Sequence, residues 1–120
     1  MSLRARISVV FSFVALAMAG CRSAHVEVSV ENRTGAEVRL LEVDYPSATF
    51  GADSLAAGAT MHYRIQVQGE GPVKVQYTAP DYTQPQATGP ELSNGEGGRL
   101  EIVLLPGGKA EFHPQLHGGK

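Results

Sequence analysis

From Val26 onward the apolar side chains fall on every second residue, and this alternation constrains the fold more than any other feature. Val26, Val28 and Val30 alternate with Glu27, Ser29 and Glu31. Successive side chains of an extended strand point to opposite faces, so the spacing predicts a valine-lined face toward a core and a carboxylate-bearing face toward water. The same period recurs at Met61, Tyr63, Ile65 and Val67, at Val73, Val75 and Tyr77, at Leu100, Ile102 and Leu104, and briefly at Ala110 and Phe112. Between Val38 and Tyr45 the phase slips by one at Leu40-Leu41, which predicts a bulge or a strand covered on both faces. Turn-forming runs punctuate these segments: Asn32-Arg33-Thr34-Gly35, Gly69-Glu70-Gly71 and Pro106-Gly107-Gly108. No sustained apolar stripe of helical period follows residue 24, and Gly58 ends the one candidate helical turn at Leu55-Ala56-Ala57.

Short strands separated by turns predict an all-β domain, a small antiparallel β-sandwich of about six to seven strands, with a small barrel as the competing closure. The pattern resembles the broad immunoglobulin-like class. With a single cysteine and no tryptophan, the chain lacks that class's inter-sheet cysteines and buried tryptophan. The sandwich is expected over residues 25–113, with 114–120 as a flexible tail. Tyr45, Phe50, Tyr63, Tyr77 and Phe112 are the expected large core or core-rim residues.

The first twenty residues have a different composition. Fourteen of them are apolar, and the only charges are Arg4 and Arg6. Residues 7–18 form an uncharged run of twelve, followed by Ala19, Gly20 and Cys21. This charged, apolar, small-residue order is that of a secretory signal peptide, and the run is short of the ~20 residues that span a bilayer. Met18-Ala19-Gly20-Cys21 resembles the lipobox of bacterial lipoproteins, with Met18 standing where that family more often has Leu. The resemblance implies cleavage between Gly20 and Cys21, diacylglycerylation of the Cys21 thiol and acylation of its new amine. It also implies a lipid-anchored envelope protein, and Arg22, in place of a retention-type Asp, implies the outer membrane facing the periplasm. The organisation expected is thus a signal peptide over 1–20, a lipidated tether over 21–24 and the sandwich beyond.

Removing Arg4 and Arg6 takes the formal charge from −2 to −4, which excludes the basic stripe of a general nucleic-acid binder. One cysteine excludes an internal disulfide framework and a cysteine-based zinc cage. No nucleophile elbow, phosphate loop, dinucleotide fingerprint or calcium loop is present, so no catalytic residue and no cofactor are assigned. Glu27 with Glu31, and Glu42 with Asp44, read as solvated strand faces. Asn32-Arg33-Thr34 matches the N-glycosylation pattern, but its expected role is a turn. His113 and His117 are weak metal candidates, with His25, His62 and Met61 as further donors. Loops carry function more often than strands, so the long connections 46–59 and 79–98, with Phe50 and Tyr82, are the candidate contact surfaces. Residues 83–88 are open to either a loop or an edge strand.

The function expected is a non-catalytic module that binds, or interacts structurally with, an envelope protein, a peptide or a glycan. The alternatives are a metal-handling periplasmic lipoprotein using His and Met, and a small enzyme-inhibitor-like lipoprotein. Four residues separate Cys21 from His25, a reach of about 14 Å at most, so the domain would sit against the bilayer. Strict strand alternation would then put the turns at 32–35, 69–71 and 106–108 at the far end and both long connections beside the lipid. An extra strand within a connection would invert that order.

Overall fold

A computed structural model describes residues 24–119. The signal peptide, the lipobox, Cys21 and the tether expected through residue 23 lie outside the described residues.

Eight strands form two four-stranded sheets: β1 (Val26–Asn32), β2 (Val38–Tyr45), β3 (Ala48–Leu55), β4 (Thr60–Ile65), β5 (Gly71–Thr78), β6 (Gln86–Leu92), β7 (Glu96–Leu105) and β8 (Lys109–Gly118). One sheet has the order β4-β1-β7-β8 and the other β3-β2-β5-β6. The small β-sandwich expected from the alternation is the fold of the chain. Its core is the set of alternating residues, including Val26, Val28, Val30, Ile65, Val73, Val75, Leu100, Ile102 and Leu104.

The connectivity departs from the expectation in three respects. There are eight strands, one more than the upper count. Five of the six strand pairings are antiparallel, but β1 and β7 run parallel, with Val26 beside Gly98 and Asn32 beside Leu104. In immunoglobulin constant domains the first strand shares its sheet with the second, fourth and fifth. Here it lies between the fourth and seventh, so the architecture is shared and the strand order is not.

The C-terminal boundary also moves. Residues 114–118, expected as part of a loose tail, belong to β8: Pro114 pairs with Leu100, Gln115 with Arg99 and Leu116 with Gly98. β8 is an edge strand, where the missing N–H of Pro114 is tolerated, and Leu116 packs half-buried against the core.

The phase slip at Leu40-Leu41 is a bulge. The β2–β5 register shifts between Arg39 and Glu42, and Leu40 has a positive φ of 49°. Leu40 and Asp53 lie opposite one another but outside the ladder, between the Arg39–Ser54 and Leu41–Ala52 pairs. Both strands change facing there: Val38 and Leu55 are buried on one side of the irregularity, and Leu41, Val43 and Phe50 on the other.

The sandwich sides close differently. Phe50 of β3 stacks on Tyr63 of β4, with centroids 4.5 Å apart and planes inclined by 10°. Opposite, the Phe112 ring of β8 lies against Gly89 of β6, so close that a Cβ there would collide with it.

Two strands hidden in the long connections reset the orientation. β3 occupies most of 46–59 and β6 part of 79–98. Following the registers from β1, the turns at 33–37, 56–59, 79–85 and 106–108 gather at the far end, where β1 finishes. Those at 46–47, 66–70 and 93–95 gather at the near end, where β1 starts. The turn at 69–71, expected far, is therefore near. Tyr82, expected near, is far.

Candidate functional site

The far end is organised around one buried polar side chain. Asn32 continues the buried phase of Val26, Val28 and Val30 and has no solvent exposure. Its Nδ2 donates to the carbonyls of Ala36 at 2.7 Å, Leu55 at 2.9 Å and Ala56 at 3.2 Å. Its Oδ1 accepts from the Thr34 amide at 3.0 Å and lies 2.7 Å from the Thr34 hydroxyl. The Asn32 backbone adds two bonds, donating to the Ala59 carbonyl and accepting from the Gly58 amide. One residue thus fixes both the 33–37 and the 56–59 turns. Nδ2, the atom a glycan would join, is consumed inside the fold, so the sequon serves the turn role expected of it.

The 79–85 turn stands beside these two. The Ala79 amide donates to the Thr83 carbonyl and the Tyr82 amide to the Ala79 carbonyl. Asp81 accepts from the Thr83 amide at 3.1 Å and from its hydroxyl at 2.6 Å, and these bonds hold the Asp81 carboxyl below the usual carboxylate range. Pro80 and Pro85 fix their own φ angles and stiffen the turn further. Tyr82 at its tip has φ of 68° and is 86% exposed. A left-handed backbone costs a non-glycine residue about 1–2 kcal/mol, and this ring buries nothing in return. Folding gives no reason for an aromatic here, and contact with another molecule does.

Between the turns lies an open cleft of about 510 Å³. Ala36, Val38, Tyr77 and Leu105 contribute apolar lining, and Pro80, Pro85 and Pro106 complete its walls together with Gly107-Gly108. Burial raises the Tyr77 phenol above its ordinary pKa, so it remains a neutral hydrogen-bonding group at physiological pH. A stiff, mostly apolar cleft with a few polar groups suits binding of a small group or an extended segment.

The other expected site residues are dispersed. Phe50 is not a loop contact: it lies in β3, is buried at 6% exposure, and packs into the core. Its alternation with Ala48 and Ala52 is masked by small residues. His113 and His117 lie four residues apart on β8, and at ~3.4 Å per residue their backbones are about 13 Å apart, too far to share an ion. His62 lies across the sheet from His113 with Ser29 and Glu101 between them. Among the described residues, no group of three or more His, Cys, Asp or Glu side chains could hold a metal. Glu27 pairs with Arg64 at 2.7 Å and Glu31 with Arg33 at 2.9 Å, both at the surface.

Asn32 and the cleft escaped the sequence reading. The signal for Asn32 was its place in the even-numbered buried phase. The cleft joins residues up to 74 positions apart, Thr34 to Gly108, and had no local signature. No protein-family model matches the chain, and no curated protein or solved structure matches it either.

Proposed function

We propose that this chain is a lipid-anchored protein of the cell envelope whose β-sandwich is a non-catalytic binding module. The far-end cleft and Tyr82 engage a partner protein or peptide, and acylated Cys21 holds the opposite end at the outer membrane. The observation that carries this reading is the placement of the only strained, exposed aromatic turn, among the described residues, at the end opposite residue 24. Two or three acyl chains on Cys21 would anchor the protein durably, since each buried methylene contributes roughly 0.8 kcal/mol. The near-end turns, within about 14 Å of chain from Cys21, carry Pro46, Ser47, Gly69, Asn94 and Gly95 and a single charge, Glu70. Such a surface approaches a headgroup layer with little charge to desolvate. The cleft then stands a further ~20–25 Å from the bilayer, the length of β1.

Fractionation tests the anchor. The chain from envelope membranes is expected to begin at an acylated Cys21 by mass spectrometry, and Cys21→Ser to leave the membrane fraction. A chain that retains Met1, or a Cys21→Ser variant that remains with the membranes, contradicts the reading.

A further inference from the structure

Four strands end the two sheets, and three carry features that discourage pairing with another chain. β6 contains Pro90 and β8 contains Pro114; β4 has only six residues and carries Arg64. β3 differs: its eight residues include no proline, lysine or arginine and only one charge, Asp53. Two of the three large exposed apolar side chains among the described residues flank it. Leu40, on the bulge opposite Asp53, is 64% exposed. Tyr63, which points inward from β4 and stacks on Phe50, is still 47% exposed, because the facing sheet ends at β3. A shallow groove of about 560 Å³ runs along Thr49, Gly51 and Asp53, with Leu40 and Glu42 behind it. The wet face beside β3 is acidic: Glu42 lies opposite Gly51, Asp44 opposite Thr49, and Asp53 is on β3 itself.

We propose that β3 is an acceptor edge that pairs with an extended segment of a partner protein in which basic and apolar residues alternate. The added strand continues the sheet through the free N–H and C=O groups of β3. Its apolar residues, on the inner face, cover Tyr63 and extend the Phe50 stack. Its basic residues, on the outer face, stand beside Asp53 and near Glu42. A second copy of β3 would instead bring these acidic clusters together, so charge complementarity selects a basic strand. The proposal depends on neither the lipid anchor nor the far-end cleft.

The test uses the full chain in neutral detergent micelles and an eight-residue peptide of alternating lysine and valine. Saturable binding is expected, with amide exchange slowed across residues 48–55. The same peptide with every amide N-methylated keeps its charge but cannot pair, and is expected not to bind. Asp53→Lys, at an exposed position, is expected to weaken binding at least about fivefold, as reversal of a rim charge does. Leu40→Asn, which suits the left-handed backbone, weakens it through the lost apolar contact. Equal binding of the methylated peptide, exchange protection confined to other strands, or unchanged binding by Asp53→Lys overturns the proposal. Self-association that protects β3 without peptide also overturns it, in favour of a second copy of the chain.

Discussion

Replacing Asn32 with Asp is expected to lower the stability of the domain by roughly 3–5 kcal/mol, the range for leaving a buried charge uncompensated. The substitution removes both Nδ2 protons and sets a carboxylate against the carbonyls of Ala36, Leu55 and Ala56. In a domain of this size each kcal/mol shifts Tm by about 4–8 °C, so the melting temperature falls by some 15–30 °C. The penalty depends on pH. The introduced carboxyl has a folded-state pKa raised above its unfolded value of about 3.9, by burial and the facing oxygens. The folded chain therefore holds the proton longer, and the penalty grows as pH rises from ~4 and shrinks below it, when a protonated acid donates one bond again. Asn32→Ala, which creates no charge, costs less, roughly 2–3 kcal/mol. Urea unfolding followed by circular dichroism measures all three effects. A loss below about 1 kcal/mol for Asn32→Asp would mean that the turns do not depend on this side chain.

Gly98→Val is the second large effect. Gly98 pairs with Val26 on one side and Leu116 on the other, at φ of 120°, and a Cβ there would collide with the Gln115 backbone carbonyl. Backbone cannot rotate away as a side chain can, so β8 must separate from β7. The expected cost is at least about 3 kcal/mol, from strained backbone together with lost strand pairing. Gly35→Ala provides the contrast. Its φ is also positive, at 92°, but nothing lies within 4 Å of the added atom, so it costs only about 1 kcal/mol. Amide exchange at residues 114–118 should rise steeply in Gly98→Val and stay unchanged in Gly35→Ala. Equal effects of the two variants would place the cost in glycine's backbone freedom alone, not in the β7–β8 contact.

The parts of the fold legible in the sequence are those where burial alternates cleanly. Val26 to Val30, Val73 to Tyr77 and Leu100 to Leu104 each bury one face, and each is a strand in the expected phase. The slip at Leu40-Leu41 was legible for the same reason, since a bulge is a shift of period. β3 and β6 were obscured by composition. β3 buries only Phe50 and Leu55, on opposite sides of the irregularity at Asp53, and β6 buries only Leu92 and contains Gly89-Pro90. Both are edge strands, whose single sheet partner leaves little apolar demand to mark them. That omission also inverted the orientation, because each hidden strand exchanges the two ends of everything after it. The parallel β1–β7 pairing was beyond reach as well, since periodicity states which face is buried but not which strand lies alongside. Of the candidate site, Tyr82 was legible as an aromatic in a proline-bounded turn. The cleft beside it was not, because distant turns form it.

An acyl-anchored module that presents its far end to a partner is tested most directly by photo-crosslinking in the native envelope. A photoreactive residue replaces either Tyr82 at the far end or Ser47 at the near end, in otherwise unchanged full-length protein. The account predicts a discrete protein adduct from position 82 and lipid adducts from position 47. Lipid adducts from position 82, with protein adducts confined to position 47, would contradict it.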